Sequence, residues 1–345
     1  MINVGTIGTS WITEEFIEGA QLTELYHIRG IYSRQASKAK ALAEKYGADF
    51  YCDQLNNLLY DPEIDVIYIA SPNSIHFEQA IRALKVGKHV IVEKPCFASV
   101  EQWKQAHETA EKNQVMIFEA AKHIHSRNYK RLKQLVRHKQ EELKSPFLGA
   151  NFNLGRYSSK YDAYLKALET GTELPNMFNS DFATGTLMDM GVYPIYVAVD
   201  LFGLPETVRY HALTGQKQID LHGNVILSYS DFQVSIFMSK AVHSQLANEI
   251  YFGKETIVIE GITRIAKVAL INTQGQYANV IDYKPEHPML DQLTDFAQIM
   301  TEPKKLENQL RYEDWKQLSL QVAQVMAQLR KSAQIEFSVL KDGEK

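Results

Sequence analysis

Lys94 is the first residue of this chain with chemistry to offer. His89-Val90-Ile91-Val92 is an apolar, mostly β-branched run, which suits a strand covered on both faces, as in a parallel sheet. Glu93-Lys94-Pro95 follows at once, so the charges begin where the apolar run stops. Ligands of open parallel sheets bind beyond the carboxyl ends of the strands, which puts a cation at the mouth of such a crevice. Pro95 confines Lys94 to an extended backbone and limits where its ammonium can point. The plainer alternative is that Glu93 and Lys94 are only the polar end of a strand.

Three further stretches could bind beside it. Gly8-Thr9-Ser10-Trp11-Ile12-Thr13 runs from the apolar segment Ile2–Ile7 into a helical pattern. A phosphate-binding turn at this place follows Gly-x-Gly-x-x-Gly/Ala, because glycine lets the backbone approach a pyrophosphate. The matching positions are Gly8, Ser10 and Thr13, and only the first is glycine. Ser10 is small enough to leave the approach open and its hydroxyl can donate to a phosphate, although a structural turn accounts for the match about as well. Ser33-Arg34 stands where an acid would read the free ribose 2′-hydroxyl of NAD. No acid is present and an arginine suits a 2′-phosphate, so NADP is expected to be preferred, with NAD tolerated; a solvated arginine at a helix start is the alternative. Ser71-Pro72-Asn73 ends another buried run at the same edge. Asn73 or Ser74 is expected to cap the next helix, and His76 lies in its first turn.

The elements that must hold these residues alternate. Strands are expected at Ile2–Ile7, Tyr26–Tyr32, Asp49–Tyr51, Ile64–Ala70, His89–Val92 and Val115–Phe118. Helices fall between them: from the first turn to about Ala20, Gln35–Tyr46 closed by Gly47, Ser74–Val86 closed by Gly87, and about Val100–Asn113. This order implies crossover connections and a doubly wound parallel sheet, a Rossmann-type domain over residues 1–121.

The 345 residues leave ample chain for a second domain, expected over 122–345. With 45% apolar and 23% charged residues the composition is that of an ordinary globular protein. A net charge of −4 gives no reason to expect nucleic acid or an anionic membrane surface as partner. No apolar run approaches the length of a membrane span, and no export signal is seen at the start. The two cysteines, Cys52 and Cys96, have no metal or redox spacing and fit a reducing cytoplasm.

Taken together, GTIGTSWIT, SPNSIHFEQAIRALKVGKHVIVEKP and DMGVYP (Asp189 to Pro194) resemble the glucose-fructose oxidoreductase / inositol dehydrogenase / MocA family of NAD(P)-dependent oxidoreductases. The resemblance implies that the turn Gly8, Thr9, Ser10, Trp11 and Ile12, together with Ser33, Arg34, Ser71, Pro72, Asn73, His76, Glu93 and Lys94, binds the cofactor. It implies that Lys94 lies beside the nicotinamide, and that Asp189 and Tyr193 face it from the second domain. Tyrosine in place of the commoner histidine is similar to the glucose-fructose oxidoreductase and dihydrodiol dehydrogenase branches. The chemistry is coherent. Hydride transfer at a carbinol requires a proton transfer at its hydroxyl, and a tyrosine near pKa 10 needs a neighbouring cation before it can serve. Tyr193 is thus expected as proton donor and acceptor, Lys94 as its electrostatic partner and Asp189 as orienter of the substrate.

The remainder of the chain is expected to form an α+β domain. His123 and His125 leave a strand end, and one of them, His125, is a candidate for substrate contact, though a surface pair is the better reading. No third ligand is evident, so no metal site is expected. A helix to about Glu142 follows, and the charged run Lys139 to Lys144 reads as its solvated end. After a strand at Phe147–Tyr157, Ser158–Ala183 is expected as an irregular excursion with a short helix around Tyr161–Leu168. Gly185–Phe202 is helical by its apolar residues, which would put Asp189 and Tyr193 on one face; Pro194 either bends this helix or sits in the first turn of a restarted one. Six β-rich runs between Val208 and Ile271 have connections too short for helices, hence a large, mostly antiparallel open sheet. Its uncovered face is expected to pair with a second copy. Helices Pro288–Met300 and Tyr312–Ala333 end the domain, and the tail from Asp342 is expected to be loose. The expected activity is hydride transfer between nicotinamide and a carbinol or carbonyl of a sugar, polyol or related molecule. The alternatives are a catalytically silent sensor on the same scaffold and a reductase of a non-sugar ligand.

Overall fold

The computed structural model describes residues 1–141 and 147–341. The chain divides into two compact units. The first takes Met1–Lys122 and Pro285–Gln317, the second His123–Lys284 and the chain from Leu318 onward.

In the first unit, β1 (Ile2–Ile7), β2 (Tyr26–Tyr32), β3 (Phe50–Cys52), β4 (Val66–Ile69), β5 (His89–Glu93) and β6 (Ile117–Ala120) form one sheet in the order β3-β2-β1-β4-β5-β6. Every pairing in it is parallel. The crossovers carry α1 (Trp11–Thr23), α2 (Ala36–Tyr46), α3 (Leu55–Leu59), α4 (Asn73–Lys85) and α5 (Val100–Lys112). Strand β4 is buried along its whole length, as its unbroken Val-Ile-Tyr-Ile run requires. The strand order reverses between β1 and β4, and ligands of such sheets bind at that switch point.

The expected alternation is present, with ends shifted by a few residues and α3 not anticipated. The cap of α4 differs from expectation. Pro72, with ψ 143°, occupies the cap position and no side chain caps; Asn73 is the first helical residue. The proline's fixed φ suits the bend into the helix, so no side-chain acceptor is needed to shape it.

The single boundary expected at 121/122 marks only the first crossing, because residues 285–317 belong to the first unit. They bring α10 (Leu290–Thr301) and the start of α11 (Leu306–Ser332). Leu293, Phe296, Ala297 and Ile299 join Phe16, Tyr26, Ile28 and Phe118 in one core, and the Tyr26 hydroxyl donates to the Leu293 carbonyl at 2.8 Å. An amphipathic helix carries no mark of which core will accept its apolar face, so this return could not be read from the pattern.

The second unit has an eight-stranded sheet in the order β14-β13-β12-β11-β7-β10-β9-β8. Its strands are β7 (Gly149–Gly155), β8 (Thr207–Thr214), β9 (Asp220–Ser228), β10 (Gln233–Ser239), β11 (Asn248–Phe252), β12 (Glu255–Glu260), β13 (Lys267–Asn272) and β14 (Tyr277–Ile281). All pairs are antiparallel except β7 with β10. α6 (Lys122–His125) and α7 (Arg127–Glu141) lead into it, and α12 (Ser338–Lys341) follows α11. Strand β14 and α12 were not anticipated.

The excursion contains α8 (Tyr161–Thr170), where a short helix was expected. Tyr164, Leu174 and Phe178 pack on Ile219 and Leu221 in a small core of their own. Lys139, expected at a solvated helix end, is 5% exposed and paired with Glu255. Lys144 and the tail from Asp342 lie outside the described residues.

Candidate active site

In the first unit, β1 ends against the turn that opens α1. Gly8 has φ +116°, and a Cβ there would stand 2.7 Å from the Ala70 carbonyl oxygen. Only glycine fits that approach of two chain segments at the switch point. The Gly8 amide donates to the Tyr32 carbonyl at 3.2 Å, so this turn and the end of β2, where Ser33 and Arg34 follow, are held together. Ser10 is the N-cap of α1, yet its side chain makes no capping bond. Ser10 and Trp11 are exposed, Trp11 by 68%. Amides at the start of a helix, a hydroxyl not spent on capping and a glycine cradle together suit a phosphate group. Thr13, at the third fingerprint position, is fully buried with no hydrogen-bond partner for its hydroxyl. It fills the helix–strand contact that a smaller residue would normally make. Arg34 is exposed.

At the next edge, His76 is a structural staple. It is 1% exposed. Its Nε2 lies 2.8 Å from the Ser71 carbonyl, and its Nδ1 3.3 Å from the carbonyls of both Pro95 and Cys96. The ring therefore sits between the carbonyls of the turn after β4 and of the turn after β5, which carries Lys94; neutral, it donates to one side, and protonated it donates to both. Burial holds this imidazole below its ordinary pKa, while the carbonyls pull it up. Ser71 donates from its hydroxyl to Gln79 Oε1 at 2.7 Å.

Lys94 is the one residue in 90–98 that is not buried. The bond that follows it, Lys94–Pro95, is cis. Glu93 turns inward: it is 8% exposed and accepts from the Tyr68 hydroxyl at 2.8 Å. Burial raises its pKa, with Lys94, Tyr68 and Lys122 working against the rise. Tyr68 is itself stacked on Phe16, with ring centroids 3.7 Å apart.

In the second unit, Leu187–Gly191 forms a π-helical turn that runs directly into α9 (Val192–Phe202). Such turns are rare and recur at functional sites. Pro194 is the third residue of α9, so the helix restarts with the proline in its first turn. The wide turn before it relieves the clash its ring would make with a preceding carbonyl. Within 183–199, every residue is buried except Asp189 and Tyr193. Both are therefore presented on one edge of an otherwise sealed helix.

The start of this helix is pinned from β9. Asp220, 1% exposed, accepts from the Leu187 amide at 2.6 Å and from the Tyr210 hydroxyl at 2.8 Å. A Cβ at Gly185 would stand 2.0 Å from Asp220 Oδ1, at a residue with φ +123°. Burial pushes the Asp220 carboxyl up, while the Leu187 amide, the Tyr210 hydroxyl and the charge of Lys240 pull it down.

The expectation of a surface histidine pair is overturned: His123 and His125 are 1% and 2% exposed. The His123 ring packs edge-on to Tyr193, centroids 4.9 Å apart, and its Nε2 lies 3.1 Å from the Tyr193 carbonyl. Both rings are carried into the unit by the short helix α6, where a strand end was expected. Among the described residues no cluster of His, Cys, Asp and Glu could hold a metal. Lys240, which the sequence did not single out, meets Asp189 with Nζ 3.0 Å from Oδ2.

The parallel sheet, the glycine cradle at its switch point and the lysine beyond β5 define a dinucleotide-dependent oxidoreductase. A family model described as "Oxidoreductase family, NAD-binding Rossmann fold" matches residues 2–121. A scyllo-inositol 2-dehydrogenase (NADP(+)) of Bacillus subtilis is 34% identical over 337 residues, covering 98% of each chain. The chain thus belongs to the glucose-fructose oxidoreductase / inositol dehydrogenase / MocA family of NAD(P)-dependent oxidoreductases and is a dehydrogenase or reductase acting at CH–OH groups. Its fold matches a 3-ketoreductase of Actinomadura kijaniata in complex with NADP and TDP-benzene, with TM-score 0.79 over 96% of this chain and 97% of that one, at 18% identity. A levoglucosan dehydrogenase in complex with NADH and levoglucosan gives TM-score 0.79 over the same shares, at 17% identity.

Proposed function

We propose that this protein oxidises a polyol or sugar, or reduces the matching ketone, with NADP as its preferred cofactor. The observation that carries the reading is the selective exposure of Lys94, Asp189 and Tyr193 in stretches that are otherwise buried. Bound nicotinamide supplies the hydride acceptor or donor. Tyr193 takes the proton from the substrate hydroxyl at its phenolic oxygen, or returns it to the carbonyl oxygen. Lys94 stabilises the phenolate by its charge, and Asp189 accepts a hydrogen bond from a neighbouring hydroxyl of the substrate. The turn Gly8–Ile12 holds the pyrophosphate, and Arg34 pairs with the 2′-phosphate. Ser71, Pro72, Asn73, His76 and the backbone of Glu93 shape the edge on which the nicotinamide rests. The scyllo-inositol dehydrogenase at 34% identity supports a cyclic polyol as the substrate class.

The eight-stranded sheet joins two copies in this reading. Its inner positions alternate with half-exposed ones such as Ile226, Ser235, Phe237, Tyr251 and Val258, a surface suited to pairing with itself. Both cysteines are free and buried, in keeping with a cytoplasmic setting; among the described residues no helix is long and apolar enough to cross a membrane.

The test is a thermal-shift titration with NADP⁺, NADPH, NAD⁺ and NADH, followed by turnover on a panel of inositols, sugars and anhydrosugars with the best cofactor. A larger shift with the phosphorylated pair and turnover on a cyclic polyol are expected. No shift with any of the four, or turnover confined to substrates without hydroxyl-bearing rings, would refute the reading.

A further inference from the structure

Lys240 follows β10 and is 1% exposed. Besides Asp189 Oδ2 at 3.0 Å, its Nζ lies 3.4 Å from the Met177 carbonyl and 5.5 Å from the centroid of the Phe178 ring. Its backbone is fixed on both sides: the amide donates to the Leu221 carbonyl and the carbonyl accepts from the Ser158 amide, each at 2.9 Å. The Asp189 side chain, by contrast, keeps 38% of its surface exposed. This ion pair is sealed at its cationic end and open at its anionic end.

Stability alone is a poor reason for such an arrangement. Stripping water from an ammonium is costly, and well-packed apolar residues often replace a buried pair with no loss. The charge of Lys240 also pulls down the Asp220 carboxyl, so it acts on two carboxylates with different duties. Asp220 faces inward and holds the Leu187 amide at the start of the π turn; Asp189 lies within that turn and faces out. The pair therefore ties the outward carboxylate to the end of a strand, where its own wide turn would leave it less constrained. Substrate-orienting groups need that kind of support, since a displacement of about 1 Å costs roughly 100-fold in rate.

We propose that Lys240 is a positioning residue: its buried ammonium fixes the Asp189 carboxylate in the orientation that receives the substrate hydroxyl. The proposal rests on the dehydrogenase reading above. It is tested by a cycle of Lys240→Met, Asp189→Asn and the double variant, with steady-state kinetics and cofactor-dependent thermal shifts on each. Asp189→Asn is expected to lower kcat by about 100-fold, and Lys240→Met by about 10- to 100-fold, with the cofactor shift retained. The double variant is expected to match Asp189→Asn within about twofold, because a residue that acts only through Asp189 has nothing left to lose. Multiplying losses in the double variant, or full kcat in Lys240→Met, would overturn the assignment. If Lys240→Met does not fold, the double variant, which lacks both charges, is compared with Asp189→Asn alone: equal kcat supports the proposal and a further drop overturns it. Wild-type protein that turns over no member of the panel would remove the dehydrogenase reading and this role with it. Wild-type turnover with a multiplicative cycle would remove only the role of Lys240.

Discussion

Lys94 and Tyr193 are each a half-exposed residue in a buried stretch, but they are placed by different means. Lys94 stands where a buried strand gives out before a proline, and a single imidazole, His76, packs between the carbonyls of its turn and of the neighbouring one. Tyr193 stands on a helix whose start is pinned by Asp220 and whose preceding turn is π-helical. The first arrangement uses backbone carbonyls and one ring; the second uses a charged network of Asp220, Lys240 and Asp189. The turn of Lys94 thus rests against a ring and backbone carbonyls, and the start of the Tyr193 helix on a buried carboxylate. Substitutions in the two halves should differ in what they spare.

The largest loss is expected from Lys94→Ala, about 10³- to 10⁴-fold in kcat/KM with cofactor binding kept. Retained turnover would mean that the first half supplies binding alone. Tyr193→Phe should lower kcat by about 10²- to 10³-fold and abolish one limb of the pH–rate profile; an unchanged profile would transfer the proton to another group. Arg34→Ala should raise KM for NADPH by about tenfold and leave NADH unaffected, the loss of one charge-assisted contact of ~1.5 kcal/mol. Equal effects on both would show that Arg34 does not read the phosphate. The smallest effect on rate is expected from His76→Phe, which fills the space but donates nothing to the Ser71 carbonyl. It should cost about 1–3 kcal/mol of stability in chemical denaturation and only a few-fold in kcat; a loss as large as that of Lys94→Ala would make His76 more than a staple.

The same contrast explains how far the sequence could be read. Strand ends announce themselves, since Val90-Ile91-Val92 stops at a charge and Gly8 follows an apolar strand. The positions of Gly8 and Lys94 at strand ends were legible for that reason. The burial of His123 and His125 was not, because period-two spacing at a strand end says nothing about a short helix that turns both rings inward. Lys240 directly follows the strand Gln233–Ser239, but in sequence the β-rich run reads on to Ala241, so nothing marks this lysine as a strand end. Neither the π turn nor the return of residues 285–317 to the first unit leaves a pattern in composition or period.

The π turn has a consequence for how this helix can vary. It is an α-helix with one residue inserted, so deleting a single residue from 187–191 would return the segment to ordinary winding. With residue 190 or 191 removed, Asp189 would stand three positions before Tyr193 instead of four, and at about 100° per residue of α-helix the two side chains would take a different bearing on each other. Changes of length here, more than changes of residue type, are what this part of the chain can least tolerate.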